Sequence, residues 1–326
     1  MFELALLVLP DLVSGLTFGL VFGFAFLLTR QILPSIFRLI REAGFSRVNY
    51  RGEPIPVGVG LVFFLACLPI GVGLMVGLPW VLSNFPEGAG YRFYQQVPLF
   101  LLGLAIMTLV GLIDDIFGNR QTTGLCGHLA QLCQRGRLTT GMLKALVGGI
   151  LALGIGVAGS FAGHPGANLD ALGSSYGSSL GSSLGVSWVG IMLRTLTMAL
   201  SINAINLLDL RPGRAGKGFT LAAVVLLMLG WPWLFHLEML FLLMVLGSLL
   251  AYLPRDLQAR AMMGDAGANA LGITLGMVSC WSLSEQGLVV YLLLLLVFQL
   301  WTEKYSLTEW IEKVPLLHFL DKLGRQ

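Results

Sequence analysis

Two adjacent carboxylates, Asp114 and Asp115, stand at the end of an apolar run in a strongly hydrophobic chain. The run at 98–113 has the composition of a membrane-spanning helix. A carboxylate deep in a bilayer costs roughly 2.5–3.5 kcal/mol, so two in succession need a compensating partner. A divalent cation is one such partner. The alternative is a pair of solvated carboxylates at a helix end.

A stripe of polar side chains interrupts another apolar run. Asn203, Asn206 and Asp209 are spaced three residues apart, so they share one face of a helix. Three oxygen-bearing side chains pack poorly in a membrane unless they line a polar cavity. The stretch that follows, residues 210–218, is basic and rich in glycine. It suits an anionic phosphate, although a solvated surface loop explains the charges equally well.

A further carboxylate, Asp265, begins an apolar run and has glycines close on both sides. Backbone N–H groups and the dipole of a helix that starts here can face an anion, while the carboxylate can hold a cation. Lys144 lies about one turn inside a helix that Thr139 or Thr140 can cap. From that position its ammonium group can reach the membrane surface or a substrate phosphate.

Membrane helices must position these groups. Hydrophobic residues make up 56% of the 326 positions and charged residues 11%, against roughly 25% charged in a typical soluble chain. A bilayer core needs apolar helices of about 20 residues. Nine such stretches lie near 10–30, 56–80, 97–113, 140–161, 186–208, 219–233, 235–253, 267–283 and 286–302. We therefore predict an all-α polytopic membrane protein with about nine transmembrane helices.

The basic residues are distributed unequally between the two sides of this bundle. When the gaps between spans are assigned alternately to two sides, all of the 20 basic residues except Arg92 and Arg194 fall on one side. The positive-inside rule makes that side cytoplasmic, which places the N-terminus outside and the C-terminus inside. The acidic motifs lie at span ends on this side. We therefore expect the active site at the cytoplasmic face.

Taken together, the motifs resemble those of the polyprenyl-phosphate N-acetylhexosamine-1-phosphate transferase family, glycosyl transferase family 4. The resemblance rests on G-x-I-D-D-x-x-G-N-R at 111–120, N-x-x-N-x-x-D at 203–209 and M-G-D-x-G-A at 263–268. A weaker match is P-x-G-x-G at 56–60. Order, spacing and predicted placement agree over about residues 10–302.

The resemblance implies a reaction. A sugar 1-phosphate would pass from a UDP-N-acetylhexosamine to a polyprenyl (undecaprenyl) phosphate, with release of UMP, for cell-envelope glycans such as peptidoglycan. The reaction would need Mg²⁺, for which Mn²⁺ could substitute, because two anionic phosphates must approach each other. It also implies a multi-pass plasma-membrane protein, in a bacterium the inner membrane. We expect no nucleic-acid partner, and a homodimer is left open.

The resemblance also suggests roles for the residues. Asp265 would be a metal ligand together with Asp115, since Mg²⁺ is held by few carboxylates and keeps several waters. Asp114 or Asp115 would handle the lipid phosphate as a base, and Lys144 would contact a phosphate. The polar stripe described above would line the nucleotide-sugar side; its members are Asn203, Asn206 and Asp209.

Two departures from the family pattern keep other functions open. Asp209 is followed by Leu210-Arg211-Pro212 where relatives commonly have glycines, and His318 stands where the best-known relatives have several histidines. One alternative is therefore a catalytically altered relative that binds lipid phosphate or nucleotide without turnover. A transporter is less favoured, since the carboxylates cluster at one interface and no internal repeat is visible.

The last residues differ in composition from the rest of the chain. We divide the chain into a multi-span transmembrane catalytic domain, residues 1–303, and a cytoplasmic amphipathic C-terminal segment, residues 304–326. Apolar positions at 307–314 recur at three- and four-residue steps, and Trp310 is a suitable membrane-surface anchor. We predict an interfacial helix that roofs the site; a solvated tail is the alternative.

Overall fold

A computed structural model describes residues 2–82, 89–118, 139–162, 187–229 and 237–325. Within these ranges, side chains are described from residue 15 onward, except at 78–92 and 159–162. The glycine- and serine-rich connector at 173–185, the basic residues at 120–137 and the boundary predicted between the sixth and seventh spans lie outside the described residues.

Nine long helices and two short ones are present in the described chain. The long helices are α1 (Phe2–Glu42), α2 (Leu61–Leu82), α3 (Ala89–Phe117), α4 (Thr140–Ala162), α5 (Trp188–Leu208), α6 (Arg214–Leu229), α7 (Met239–Leu257), α8 (Gly264–Ser282) and α9 (Glu285–Lys304). Each of the nine predicted spans overlaps one of them. The short helices are α10 (Leu307–Lys313) and α11 (Pro315–Lys322).

Six of the described helices are long and apolar enough to cross a membrane. They are the helical stretches Gly15–Glu42, Phe93–Phe117, Thr140–Ala158, Trp188–Leu208, Met239–Leu257 and Glu285–Lys304. In α2 the shorter stretch Leu61–Gly77 is also apolar. The protein is therefore a helical, multi-pass membrane protein. The count of nine spans and their orientation stay predictions.

The expectation of an all-α fold is confirmed apart from one small hairpin. Strands β1 (Ser46–Val48) and β2 (Pro54–Pro56) pair antiparallel. The turn between them is built by Asn49, whose Oδ1 accepts hydrogen bonds from the backbone N–H groups of Arg51 and Glu53 at 2.8 and 3.0 Å. Asparagine offers such local side-chain acceptors, which is why it is common in turns. Three-residue strands are too short to give an alternating sequence pattern.

Helix α8 forms the centre of the bundle. It packs against α3, α5 and α7, and 16 of its 19 residues are buried. Its small residues permit this close packing, because a Cβ at Gly272 or Gly276 would overlap the backbone of α5. Helix α9 lies at the periphery, since only 11% of its most apolar 18-residue stretch is buried. The central helix is also the one that carries Asp265 in its first turn.

The C-terminal segment has a helix, α10, where the apolar positions at 307–314 predicted one. A second short helix follows it, and Pro315 begins this second helix. Proline has no backbone N–H and is well tolerated only in the first turn of a helix, so α10 ends before Pro315 and a new helix begins there. Four apolar side chains of α11 and the residue after it are exposed: Leu316, Phe319, Leu320 and Leu323. An interfacial position stays a prediction.

Candidate active site

The carboxylate of Asp115 binds the beginning of helix α8. The backbone N–H of Asp265 donates to its Oδ1 at 3.0 Å, and the N–H of Ala266 donates to its Oδ2 at 3.0 Å. The first N–H groups of a helix have no partner within the helix, and a carboxylate satisfies both their hydrogen bonding and the helix dipole. Asp115 is only 5% exposed. It thus acts as an N-terminal cap supplied by another helix.

Gly264 makes this arrangement possible. Its φ of +68° lies in the left-handed region that residues with a Cβ rarely adopt. A Cβ at this position would also overlap the carboxylate of Asp115. The M-G-D motif therefore requires glycine at this position both for its backbone conformation and for the space that Asp115 occupies.

Asp265 itself points toward helix α4. Its Oδ2 accepts a hydrogen bond and ion pair from Lys144 Nζ at 2.7 Å. The side chain of Asp265 is 30% exposed and that of Lys144 is 20% exposed. Thr139 accepts the N–H of Met142 at 3.2 Å and so caps α4 one turn before the lysine. The lysine and the carboxylate are therefore in contact and still reachable from solvent.

Asp114 belongs to the same group of side chains. Its carboxyl forms side-chain hydrogen bonds with the carboxyl of Asp265 and the hydroxyl of Thr140. It also interacts electrostatically with Lys144. Asp114 is half-buried, unlike its neighbour Asp115. The structure thus brings together Asp114, Asp265 and the predicted phosphate-binding lysine, and Asp115 is bonded to the backbone of Asp265 and Ala266.

The hairpin supports the end of helix α3. Arg47 Nη2 donates to the backbone carbonyl oxygens of Asp114 and Asp115 at 3.1 and 3.0 Å. A cation at a helix C-terminus satisfies carbonyl groups that lack partners and opposes the negative end of the dipole. Arg47 counted in the sequence only as one of many basic residues. Its role depends on a hairpin that the sequence pattern did not predict.

The P-x-G-x-G motif contacts the M-G-D motif directly. The N–H of Gly60 donates to the carbonyl of Met263 at 3.0 Å, and the N–H of Met262 donates to the carbonyl of Pro56 at 2.9 Å. A Cβ at Gly60 would overlap the backbone of Gly267. The P-x-G-x-G motif, which was the weakest match in the sequence, therefore packs against the backbone of the M-G-D motif.

The polar stripe of α5 is divided between two neighbouring helices. Asn206 donates through Nδ2 to Asn269 Oδ1 at 2.7 Å, and Asn269 in turn donates to the carbonyl of Met107 at 3.3 Å. Asn203 instead bonds to Gln299 of α9. Asn269 is one helical turn after Asp265, so Asn206 reaches the site helix and Asn203 does not. Asn269 was absent from the predicted site residues, although it follows the M-G-D motif by only four residues.

Asp209 ends helix α5 and begins the third loop (residues 209–213). Its backbone N–H bonds to the carbonyl oxygens of Ile205 and Asn206, both at 3.1 Å. The basic residues that follow have protein partners. Arg211 lies 5.8 Å from the centre of the Tyr50 ring, and Arg214 forms an ion pair with Asp321 at 2.9 Å. The basic stretch is thus held by other parts of the chain.

The donor set of the site suits a hard cation. Within the described residues, no group of three or more His, Cys, Asp and Glu side chains is placed to form a complete metal site. The pair Asp114 and Asp265 nevertheless fits Mg²⁺, which uses one or two carboxylates and completes its shell with water and substrate phosphates. Asp115 has both oxygens in hydrogen bonds to α8. Metal binding by Asp115 stays a prediction.

The fold and these contacts define a multi-pass membrane protein with an acidic site at one end of its helical bundle. The model of glycosyl transferase family 4 matches residues 97–283, more than half of the chain. The chain belongs to glycosyl transferase family 4, a family of enzymes that transfer sugar phosphates to lipid phosphates. This confirms the family resemblance. No curated protein matches the chain.

The matched range divides the contacts described above. It includes the Asp114–Asp115 pair, Lys144, the polar stripe and Asp265. It excludes the hairpin with Arg47 and the C-terminal segment with Asp321. The family match therefore accounts for the carboxylates and the lysine, whereas the elements that fasten the surrounding loops lie outside it.

Proposed function

We propose that this protein transfers a sugar 1-phosphate from a UDP-N-acetylhexosamine to a polyprenyl phosphate. An oxygen of the lipid phosphate attacks the phosphorus that carries the sugar. The bond from that phosphorus to the oxygen bridging the two phosphates breaks, and UMP leaves with the bridging oxygen. The observation that carries this proposal is the cluster of Lys144, Asp265 and Asp114 at one end of the bundle.

Each member of the cluster has a proposed task. Lys144 holds a phosphate of the bound substrates, a task that a snorkelling lysine at the membrane surface can perform. Asp114 faces the lipid phosphate and accepts its proton where that phosphate is still protonated. Asp115 fixes the start of α8 and thereby orients Asp265. Asn206 and Asp209 lie on the nucleotide-sugar side together with Asn203.

Asp265 and Asp114 are the residues that would hold Mg²⁺ or Mn²⁺, with Asp115 as the further expected ligand. When bound, the cation supplies charge neutralisation for the diphosphate as UMP departs. Lys144 contributes positive charge at the same carboxylate. The proposed ligands among the described residues all offer oxygen donors, which supports magnesium rather than zinc, since zinc prefers nitrogen and sulfur ligands.

The proposed reaction has a place in the cell. The acceptor is a lipid, and the donor is a nucleotide sugar that is soluble in the cytoplasm, so the site belongs at the cytoplasmic face of the plasma membrane. In a bacterium this is the inner membrane. The catalytic helices correspond to residues 1–303, and the amphipathic segment at 304–326 covers the same end of the bundle.

The decisive experiment measures UMP. Purified protein is incubated with undecaprenyl phosphate, MgCl₂ and UDP-N-acetylglucosamine or other UDP-N-acetylhexosamines. UMP should appear in an amount equal to the lipid-linked sugar, and none should appear when the lipid is omitted or when EDTA removes the metal. Absence of UMP with every donor, from protein that retains its fold, would contradict the proposal.

A second candidate function is binding without turnover. One observation favours it: Arg214, in the basic stretch suited to a substrate phosphate, is 6% exposed and is paired with Asp321. A protein of this kind would bind UDP-sugar or polyprenyl phosphate in a calorimetric titration and release no UMP. The titration and the UMP assay together therefore distinguish an enzyme from a protein that binds its ligand without turnover.

A further inference from the structure

The C-terminal segment is fastened to the beginning of helix α6. The carboxylate of Asp321 accepts two hydrogen bonds from Arg214, from Nε to Oδ1 at 2.9 Å and from Nη2 to Oδ2 at 3.1 Å. Arg214 Nη1 also donates to Thr308 Oγ1 at 3.2 Å. The side chains of Arg214 and Asp321 are 6% and 10% exposed. A two-pronged, buried arginine–carboxylate pair is geometrically specific, unlike an ordinary surface ion pair.

The same carboxylate is linked to the third loop. Arg325 donates to Asp321 Oδ1 at 3.0 Å and to Oδ2 at 3.2 Å. Its guanidinium group also donates to the backbone carbonyl of Pro212 from Nη2 at 2.9 Å and from Nε at 3.1 Å. Arg325 therefore bonds to the loop backbone through Nε and Nη2 and to Asp321 through Nη1 and Nη2. Loss of the carboxylate would leave the buried guanidinium group of Arg214 and the partly buried one of Arg325 without their shared partner.

Two further contacts fix the loop and the segment. Lys217 Nζ donates to the carbonyl oxygens of Leu320 and Asp321 at 2.8 and 2.7 Å, at the last turn of α11. The N–H of Gly213 donates to Oδ2 of Asp256, a residue of helix α7, at 2.9 Å. The third loop is thus held between helix α7 and the C-terminal segment. Its first residue is Asp209, which was assigned to the nucleotide-sugar side.

We propose that Asp321 is a positioning residue: with Arg214 and Arg325 it clamps the third loop and so holds Asp209 in place for the nucleotide sugar. This inference rests on the proposed function for its substrate, although the clamp itself does not depend on it. Asp321 touches no reacting atom. Its effect is on the order of the loop, and hence on how well the donor substrate binds.

The test compares Asp321→Asn with Asp321→Glu and with a matched control. Glu312→Gln makes the same acid-to-amide change at an exposed position of the neighbouring helix α10. The asparagine variant should raise the KM for the UDP-sugar about tenfold, the effect of losing roughly 1.4 kcal/mol of binding free energy, with kcat nearly unchanged. Asp321→Glu should restore much of the affinity, and Glu312→Gln should match the wild-type protein.

Hydrogen–deuterium exchange provides a readout that does not require activity. Asp321→Asn should speed exchange in residues 209–217 and in α11, and should leave α3 and α8 unchanged. Faster exchange with an unaltered KM would refute positioning, and unaltered exchange would refute the clamp. A lower Tm together with a lower kcat and an unchanged KM would mean a merely structural role and would also refute the proposal. If the wild-type protein released no UMP, the proposed function would fail, while the exchange data would still decide the clamp.

Discussion

At the residue scale, two adjacent carboxylates have different partners. Neighbouring residues on a helix point about 100° apart, and Asp115 accordingly meets the N-terminus of α8 while Asp114 meets Asp265. The inward carboxylate orders the site and the other remains half-exposed. Each kind of position requires an acidic residue for its own reason. A D-D pair can therefore supply a helix cap and a partly exposed carboxylate on one turn.

The first residue-scale prediction concerns Asp265. Asp265→Asn keeps the shape and removes the charge, so kcat for UMP release should fall about a hundredfold or more if the carboxylate stabilises developing charge by about 3 kcal/mol. Glu285→Gln, an exposed change at the start of α9, is the matched control and should retain wild-type kcat. Near-normal turnover of Asp265→Asn would rule out the assigned role.

The second residue-scale prediction concerns Gly264. Gly264→Ala should destabilise the protein, since a left-handed backbone costs a residue with a Cβ about 1–2 kcal/mol and the new methyl group displaces Asp115. Thermal unfolding in detergent should show a lower Tm, and UMP release should be lost. Gly73→Ala is the control, because a Cβ there meets open space. Equal Tm values for the two variants would contradict this account of the cap.

The sequence predicted the residues that are chemically out of place. Carboxylates and a lysine at the ends of apolar runs are expensive unless they have a task, so Asp114, Asp265 and Lys144 could be identified without a structure. Arg47 and Asn269 could not. An arginine on a basic surface and an asparagine inside a small-residue helix become informative only when the carbonyl or amide that each contacts is known.

At the element scale, helix positions were predictable and their partners were not. Apolar length identifies a spanning helix, because a bilayer tolerates little else. The central position of α8 follows instead from small residues such as Gly272 and Gly276, which let α5 approach. Small residues occur in other helices of the chain without such contacts: a Cβ at Gly73 or Gly154 would meet nothing within 4 Å. Only the structure separates the two cases.

The element-scale prediction is a pH dependence of the docked C-terminal segment. Burial of Asp321 would raise its pKa, but hydrogen bonds and charges from Arg214 and Arg325 lower that pKa from 3.8 to about 2. The group is charged in the docked state, so the stabilisation is present above pH 3.8 and is lost as the pH falls toward 2. Lys217 and Thr308 also bond to this contact, and the carboxylate of Asp256 faces Lys217 and Arg325 from helix α7.

Exchange measurements can follow this titration. Hydrogen–deuterium exchange in α11, corrected for the intrinsic effect of pH, should be slow at pH 5 and should rise between pH 4 and pH 2. The Asp321→Asn variant should exchange rapidly throughout and show no such rise. A rise of the same size in that variant would mean that another group controls docking.

At the scale of the whole molecule, distant parts of the chain meet at one end of the bundle. The hairpin contacts α3 through Arg47, α4 contacts α8 through Lys144, and α6 contacts the C-terminal segment through Arg214. Antiparallel neighbouring helices place alternate connections at the same end, and the contacts agree with the alternation used to assign the basic residues. The opposite end includes the turn between α8 and α9.

The last prediction concerns the side of the membrane on which this end lies. Cysteines are introduced singly at Val48, an exposed residue of the hairpin, and at Glu285, an exposed residue at the other end. The background carries serine at Cys126 and Cys133, while Cys67 and Cys280 are buried and stay unlabelled. An impermeant maleimide should label position 285 in intact cells and position 48 only after permeabilisation, because the basic end should be retained in the cytoplasm. Gly118 and Gly213 are unsuitable positions, since a Cβ would collide at both. Labelling of position 48 in intact cells would show that the topology is the reverse of the predicted one. The site would then face away from the cytoplasm, where the proposed nucleotide donor is dissolved.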